Sequence, residues 1–114
     1  MKFSVEHDGQ LAIFHLGEER LTAENAPEVK RELLILTQSE ITVLMLDLTP
    51  VSFCDSSGLS AILLAERQMR EHEDGGVIVV DVHGKVKTLI EIAKLDGIIP
   101  VFETVEEARK AIVE

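Results

Sequence analysis

The stretch Ile41-Thr42-Val43-Leu44-Met45-Leu46-Asp47-Leu48-Thr49-Pro50-Val51-Ser52-Phe53-Cys54-Asp55-Ser56-Ser57-Gly58-Leu59 decides how the rest of the chain is read. Residues 41–48 are almost continuously apolar, the pattern of a strand covered on both faces. Pro50 ends that strand. From Leu59 the apolar period changes: Leu59, Ile62, Leu63 and Met69 line a helix running to about Glu71, with Arg67, Arg70 and Glu71 on the wetter side. Between strand and helix stand one carboxylate and two hydroxyls, Asp55, Ser56 and Ser57. The first-turn N–H groups of a helix lack intrahelical partners, and the helix dipole adds partial positive charge there. An anion at that point, a phosphate included, is stabilised. A serine there is a helix cap, a phosphate acceptor, or both.

The same strand-then-helix pattern extends in both directions. Toward the N-terminus, residues 3–7 and 11–16 flank His7-Asp8-Gly9-Gln10, and Asp-Gly between two short apolar segments predicts a hairpin. Residues 17–24 form a polar connection. Asn25 is the expected N-cap of the next helix, with Pro27 in its first turn and Glu28 at capping-box spacing. Val29, Leu33 and Leu36 mark its inner face, and it ends near residues 37–39. Toward the C-terminus, residues 71–76 make a turn and 77–82 a buried strand. Gly84 starts a helix carrying Val86, Leu89, Ile90 and Ala93. Residues 98–102 form a short strand whose Pro100 predicts an edge or strand-end position. Thr104 and Glu107 make a second capping-box spacing, and Ala108, Ala111 and Ile112 are expected to face inward from the last helix. The order is ββαβαβαβα. Alternating strands and helices predict an α/β domain with a mixed, mostly parallel sheet and helices packed against it.

Composition narrows the function. The 114 residues suit a single domain over 1–114 with one core, and 46% hydrophobic content argues against disorder. No apolar run approaches the ~18–20 residues of a membrane span, and Met1-Lys2-Phe3-Ser4-Val5-Glu6 is no signal peptide. A cytoplasmic chain without a membrane role is expected, and a lone cysteine fits that compartment. The net charge of -10, with scattered Lys and Arg and no Trp or Tyr, argues against nucleic acid. Acidity of this kind either keeps the chain soluble or speeds its encounter with basic proteins.

The segment Phe53-Cys54-Asp55-Ser56-Ser57-Gly58-Leu59 resembles the phosphorylation motif of the STAS family, the small bacterial anti-sigma factor antagonists. Phe53, Asp55, Ser56, Ser57, Gly58 and Leu59 match the pattern, and Cys54 stands where Met is common. GEERLTAENAPEVKREL, from Gly17 to Leu33, is similar to a second family region. There Thr22 replaces the usual Asp or Asn, after what reads as an extra residue. The resemblance follows the element order of nearly the whole chain. It implies phosphorylation at Ser56, the serine directly after Asp55. It also implies a partner-binding face of Thr22, Asp55, Ser56, Ser57, Gly58 and Leu59.

Each candidate has a plainer alternative. One of the two serines can cap the helix and do nothing more. Asp55 is a cap or first-turn carboxylate, and, compatibly with that, it orients the Ser56 hydroxyl for a kinase or hydrogen-bonds a partner. Gly58 lowers helix propensity, so a close approach of backbone or partner is expected there. Cys54 reads as a buried small hydrophobe rather than a nucleophile. His7, His15, His72 and His83 lack metal-ligand spacing and read as structural or solvated. Gly84-Lys85 fails as a phosphate loop, because Val86 follows and the upstream glycine is missing. No catalytic residue, metal ligand or cofactor is expected.

What the resemblance implies is a partner-switching module. Unphosphorylated, it would bind an anti-sigma factor that is a histidine-kinase-like serine kinase. That partner would phosphorylate Ser56 and release the module, and a serine phosphatase would reset it. A STAS adaptor in a non-sigma signalling or transport complex is the alternative. A small hydrolase using Ser56 or Cys54 is a third reading, opposed by the lack of a base-and-oxyanion motif.

Overall fold

The computed structural model describes residues 1–113. The element order is β1 (Phe3–Asp8), β2 (Leu11–Leu16), β3 (Arg20–Leu21), α1 (Ala26–Thr37), β4 (Val43–Asp47), β5 (Phe53–Cys54), α2 (Ser56–Met69), β6 (Gly76–Val80), α3 (Gly84–Ile92), a 3-10 turn (Leu95–Gly97), β7 (Val101–Phe102) and α4 (Val105–Val113). Five strands form the main sheet in the order β1-β2-β4-β6-β7. β1 pairs antiparallel with β2, and the other pairs are parallel. The mixed, mostly parallel α/β sheet expected above is the one observed.

The hairpin turns on two residues, Gly9 and Gln10, between the paired Asp8 and Leu11. Gly9 takes φ +61°, and a positive φ at the first loop residue is where a glycine costs least. Past the hairpin, each parallel strand is added on the same side of the last. Right-handed crossovers in a sheet growing one way put all the connecting helices on one face. The core shows the result. Ala12, Phe14, Leu16, Leu44, Leu46, Val77 and Val79 pack with Val29, Leu33, Ile62, Met69, Val86 and Ile90 from α1, α2 and α3. The alternate strand residues Leu11, Ile13, Met45, Ile78 and Val80 point to the opposite face and pack with Ala108 of α4.

Three local expectations are corrected. Asn25 is the N-cap of α1 by position but makes no side-chain cap bond. Its Oδ1 accepts from Thr22 N at 2.9 Å, and its Nδ2 donates to the Arg20 carbonyl at 2.8 Å. The side chain turns back to hold the preceding loop, and Pro27 leaves one fewer donor needing a cap. Ala111 and Ile112 are exposed, because α4 meets the sheet only through its first turns, around Val105 and Ala108. The segment 98–102 is a strand only over Val101–Phe102, since Ile98 and Ile99 close the 3-10 turn with bonds to the Leu95 carbonyl. β7 is nonetheless the sheet edge, as Pro100 required. At Thr104 the hydroxyl half of the capping box forms, with Glu107 N donating to Thr104 Oγ1 at 3.1 Å.

The buried Glu66, 4% exposed, breaks the apolar face of α2. Its Oε2 accepts from Val77 N at 2.9 Å, and its Oε1 pairs with Arg70 one turn on. A buried carboxylate persists only when so satisfied. The sequence signal is the i,i+4 Glu66–Arg70 pair, which alone reads as an ordinary surface pair.

Candidate functional site

The short strand β3 pairs in parallel with β5, Arg20 opposite Phe53 and Leu21 opposite Cys54. This two-stranded ladder builds the site. It lays the polar 17–24 connection beside the motif and sets Thr22 next to Asp55. Further bonds stitch the two segments: Ser52 N donates to the Glu19 carbonyl at 2.8 Å, and Asp55 N to the Leu21 carbonyl at 3.2 Å. The sequence signal was Leu21, the one large apolar residue in a polar run, which is 1% exposed.

The helix begins at Ser56, three residues before the apolar pattern at Leu59. Asp55 is therefore the N-cap, with extended backbone at φ -104°, ψ -173°. Its Oδ1 accepts from Ser57 N at 2.9 Å and from Gly58 N at 3.1 Å. Its Oδ2 accepts from Ala23 N at 3.2 Å, which ties the Thr22 loop to the start of α2. Neither carboxylate oxygen bonds the Ser56 hydroxyl, so Asp55 does not orient it. Two of the helix-start donors that suit a free anion, the Ser57 and Gly58 N–H groups, are already taken by this carboxylate.

The two serines part company. Ser56 is exposed, while Ser57 is half-buried. Ser57 and Ser60 line a groove against Ala23, Ala26, Pro27 and Lys30, at the junction of α1 and α2. Thr22 caps its own loop: its Oγ1 accepts from Glu24 N at 3.3 Å and its carbonyl from Ala26 N at 2.7 Å. Leu59 is half-buried against the core. Gly58 is buried. A Cβ there would lie 2.6 Å from both the Leu21 Cγ and the Leu21 carbonyl oxygen, and 2.7 Å from Cys54 Sγ. The close approach expected of this glycine is that of β3, so Gly58 shapes the face from beneath.

Replacing the cap tests this geometry. Asp55→Ala is expected to lower stability by about 1–2 kcal/mol, a typical N-cap loss, and to free the 22–25 loop. Asp55→Asn should keep most of that stability, since an amide oxygen also caps. Denaturant melts of the two variants check it; equal losses would show that the cap is not what Asp55 contributes.

Nothing here assembles a catalytic constellation among the described residues. Cys54 is 6% exposed, and burial together with the Asp55 charge pushes its thiol up to about 11. His15 bridges Asp47 Oδ2 at 2.6 Å and Glu6 Oε1 at 2.8 Å on the α4 face of the sheet, away from Ser56. Burial of Asp47 opposes its charge, but bonds from Thr49 and His15 outweigh it and lower its carboxyl below the usual value. His72 and His83 bond the Thr37 and Thr49 carbonyls. These three histidines are structural. No group of His, Cys, Asp and Glu suited to a metal ion occurs among the described residues, and no helix there is long and apolar enough to cross a membrane.

The profile of the STAS domain matches residues 2–108. This chain belongs to the STAS family. An anti-sigma-B factor antagonist of Listeria monocytogenes is 34% identical over 89 residues, which cover 78% of this chain and 75% of that relative. Among solved structures, a STAS-domain anti-sigma-factor antagonist from Planctomyces limnophilus superposes with a TM-score of 0.90 at 19% identity, covering 98% of each chain. The Bacillus cell fate determinant SpoIIAA, solved in its phosphorylated form, superposes with a TM-score of 0.77 at 18% identity, covering 97% of this chain and 99% of its own. At such identities the structures establish the STAS fold, and the sequence matches establish the family.

Proposed function

We propose that this STAS domain is an anti-sigma factor antagonist whose binding is switched by phosphorylation of Ser56. The observation that carries the reading is the exposed Ser56 hydroxyl at the first turn of a rigidly capped helix. The Thr22 loop is pinned beside it through Asp55 and Ala23. The Listeria relative supports antagonism, and the phosphorylated SpoIIAA supports a phosphate on this fold.

Unphosphorylated, the Thr22 loop and the start of α2 form one continuous face for a histidine-kinase-like anti-sigma factor. Binding there frees the sigma factor. The partner transfers the γ-phosphoryl group of ATP to Ser56 Oγ: an Oγ–P bond forms, the hydroxyl proton leaves, and ADP is released. A serine phosphatase hydrolyses the ester and resets the switch. The chain supplies an acceptor and a docking face, and the kinase supplies the catalysis. No histidine bonds Ser56 or Cys54 among the described residues, which speaks against the hydrolase reading.

The acceptor is Ser56 rather than Ser57. Ser57 is turned toward α1 and its backbone N–H is held by Asp55, so its hydroxyl is poorly placed to enter a kinase cleft. Incubation with the purified anti-sigma factor and ATP, followed by peptide mapping, should place one phosphate on Ser56, and Ser56→Ala should abolish it. Phosphate on Ser57 with Ser56 intact refutes the assignment. Absence of any complex with anti-sigma factors would favour the non-sigma adaptor.

A further inference from the structure

The two edges of the main sheet differ. β7 is two residues long and follows Pro100, and a short strand beside a proline is a common way to blunt an edge. β1 is six residues long, contains no proline, and has no buried residue. No strand pairs on its outer side among the described residues.

The hairpin fixes which backbone groups of β1 are free. Asp8 and Leu11 flank the tight turn, and Gly17 N donates to the Lys2 carbonyl at 2.8 Å. Backbone groups along an antiparallel strand alternate sides, so those of Lys2, Ser4, Glu6 and Asp8 turn to β2. Those of Phe3, Val5 and His7 turn outward. Side chains alternate too, between the faces of the sheet. Phe3 and Val5 lie on the face of α1, α2 and α3, where the Phe3 ring stacks on Phe14 at 5.3 Å and stays 37% exposed. Glu6 and Asp8 lie on the α4 face, where Arg109 reaches both.

We propose that a second copy of this chain adds its own β1 to this edge, antiparallel, about a two-fold axis at Val5. In a continuous sheet, outward-facing residues of one strand must meet outward-facing residues of the other. Val5 opposite Val5, with Phe3 opposite the partner's His7, engages every free residue of β1, and each such pair exchanges two backbone bonds. The charges select the same register. It brings Lys2 opposite the partner's Asp8 at both ends and Ser4 opposite the partner's Glu6. Slid by one pleat repeat toward the hairpin, Glu6 meets Glu6. Slid the other way, His7 passes the end of the partner's β1. The interface is isologous, as a closed two-fold dimer requires. The strands run in opposite directions across it, so the two Thr22 loops lie at opposite ends of the joined sheet. Both Ser56 faces stay open, and the inference does not rest on the phosphoswitch.

Sedimentation equilibrium of the chain alone, from about 1 µM to about 1 mM, tests this. A concentration-dependent dimer is expected. Val5→Pro should raise its Kd by about tenfold or more, because proline removes an outward N–H at the centre of the pairing and spares the bonds to β2. Lys2→Glu and Asp8→Lys should each weaken the dimer about tenfold, by setting like charges opposite at both ends. An equal mixture of those two variants should recover it, since the mixed pair has opposite charges at both ends. A folding defect in either variant would not be cured by mixing. Salt should shrink the two charge effects and spare that of Val5→Pro. Amide exchange reads the register: the Phe3, Val5 and His7 N–H groups should slow on dimerisation, and those of Ser4, Glu6 and Asp8 should not change. A chain that stays monomeric over this range overturns the proposal. So does a dimer that these variants leave intact, or one that the mixture fails to restore. Slowed exchange at β1 that arises only with the anti-sigma factor assigns the edge to that partner and also overturns it.

Discussion

Phosphorylated at Ser56, the chain is expected to bind its anti-sigma factor more than about a hundredfold more weakly, a loss of ~3 kcal/mol. The phosphate adds about -1.5 to -2 charge at neutral pH. A helix start often absorbs such a charge, but here Asp55 already holds the Ser57 and Gly58 N–H groups. The same carboxylate is fixed by Ala23 N on its other oxygen, so it has little freedom to swing aside. The phosphate therefore stays on the surface, next to a carboxylate, where a close-fitting partner must desolvate both. Within the isolated chain the opposing effects nearly cancel. Thermal melts of the two forms should differ by no more than about 1 kcal/mol. Ser56→Asp should weaken binding less than the phosphate does, and Ser56→Ala should bind like the unmodified chain. Calorimetry with the purified anti-sigma factor gives the affinities, and amide NMR spectra locate the change. Equal affinities for the two forms would end the switch model. Shifts spread across the sheet, with α2 melted, would make the switch conformational rather than a change at the surface.

The second large effect is expected at Gly58. In an ordinary exposed helix, Gly→Ala stabilises by about 1 kcal/mol. Gly58→Ala should do the reverse and cost about 3 kcal/mol, the upper end for overpacking a filled core. In a chain of this size that lowers the Tm by roughly 10 °C. The added Cβ would fall 2.6 Å from the Leu21 carbonyl oxygen, which is backbone and already accepts from Asp55 N. Relief requires β3 to move away from α2, and Thr22 moves with it. Partner binding should therefore fall together with stability. Cys54→Ala in the same chain removes one contact, the Sγ at 2.7 Å, but leaves the backbone clash. A denaturation series on the single and double variants separates them. A Gly58→Ala chain as stable as wild type would show that β3 yields at little cost.

Element order, the faces of most helices and the identity of the motif were legible in the amino-acid sequence. Val29, Leu33 and Leu36 recur at helical spacing and are buried; residues 43–46 are apolar throughout and lie mid-sheet. Pro100 marked an edge strand and Gly9 a turn, because each restricts or frees one backbone angle whatever surrounds it. The Asp55–Leu59 run carried the family resemblance before any contact was known. These features are decided within one element, by burial of one face or by the backbone angles of one residue.

Other features depended on the tertiary structure. β3 and β5 are two residues each, too short to show any period, and they exist as strands only because each pairs with the other. The Asn25 side chain chose the loop behind it over the helix ahead. Glu66 is buried because Val77 N meets its carboxylate across the gap from α2 to β6. Ala111 and Ile112 share a helix with the buried Ala108 yet stay in solvent, since the sheet offers α4 nothing to bury them against. Arg20, Phe53 and Lys85 are scattered along the chain and meet at one ring. The physical reason is common to all of them. Periodicity records how one segment divides between water and core, whereas these contacts join segments brought together by strand order and crossover, where the decisive partner lies far away in the chain.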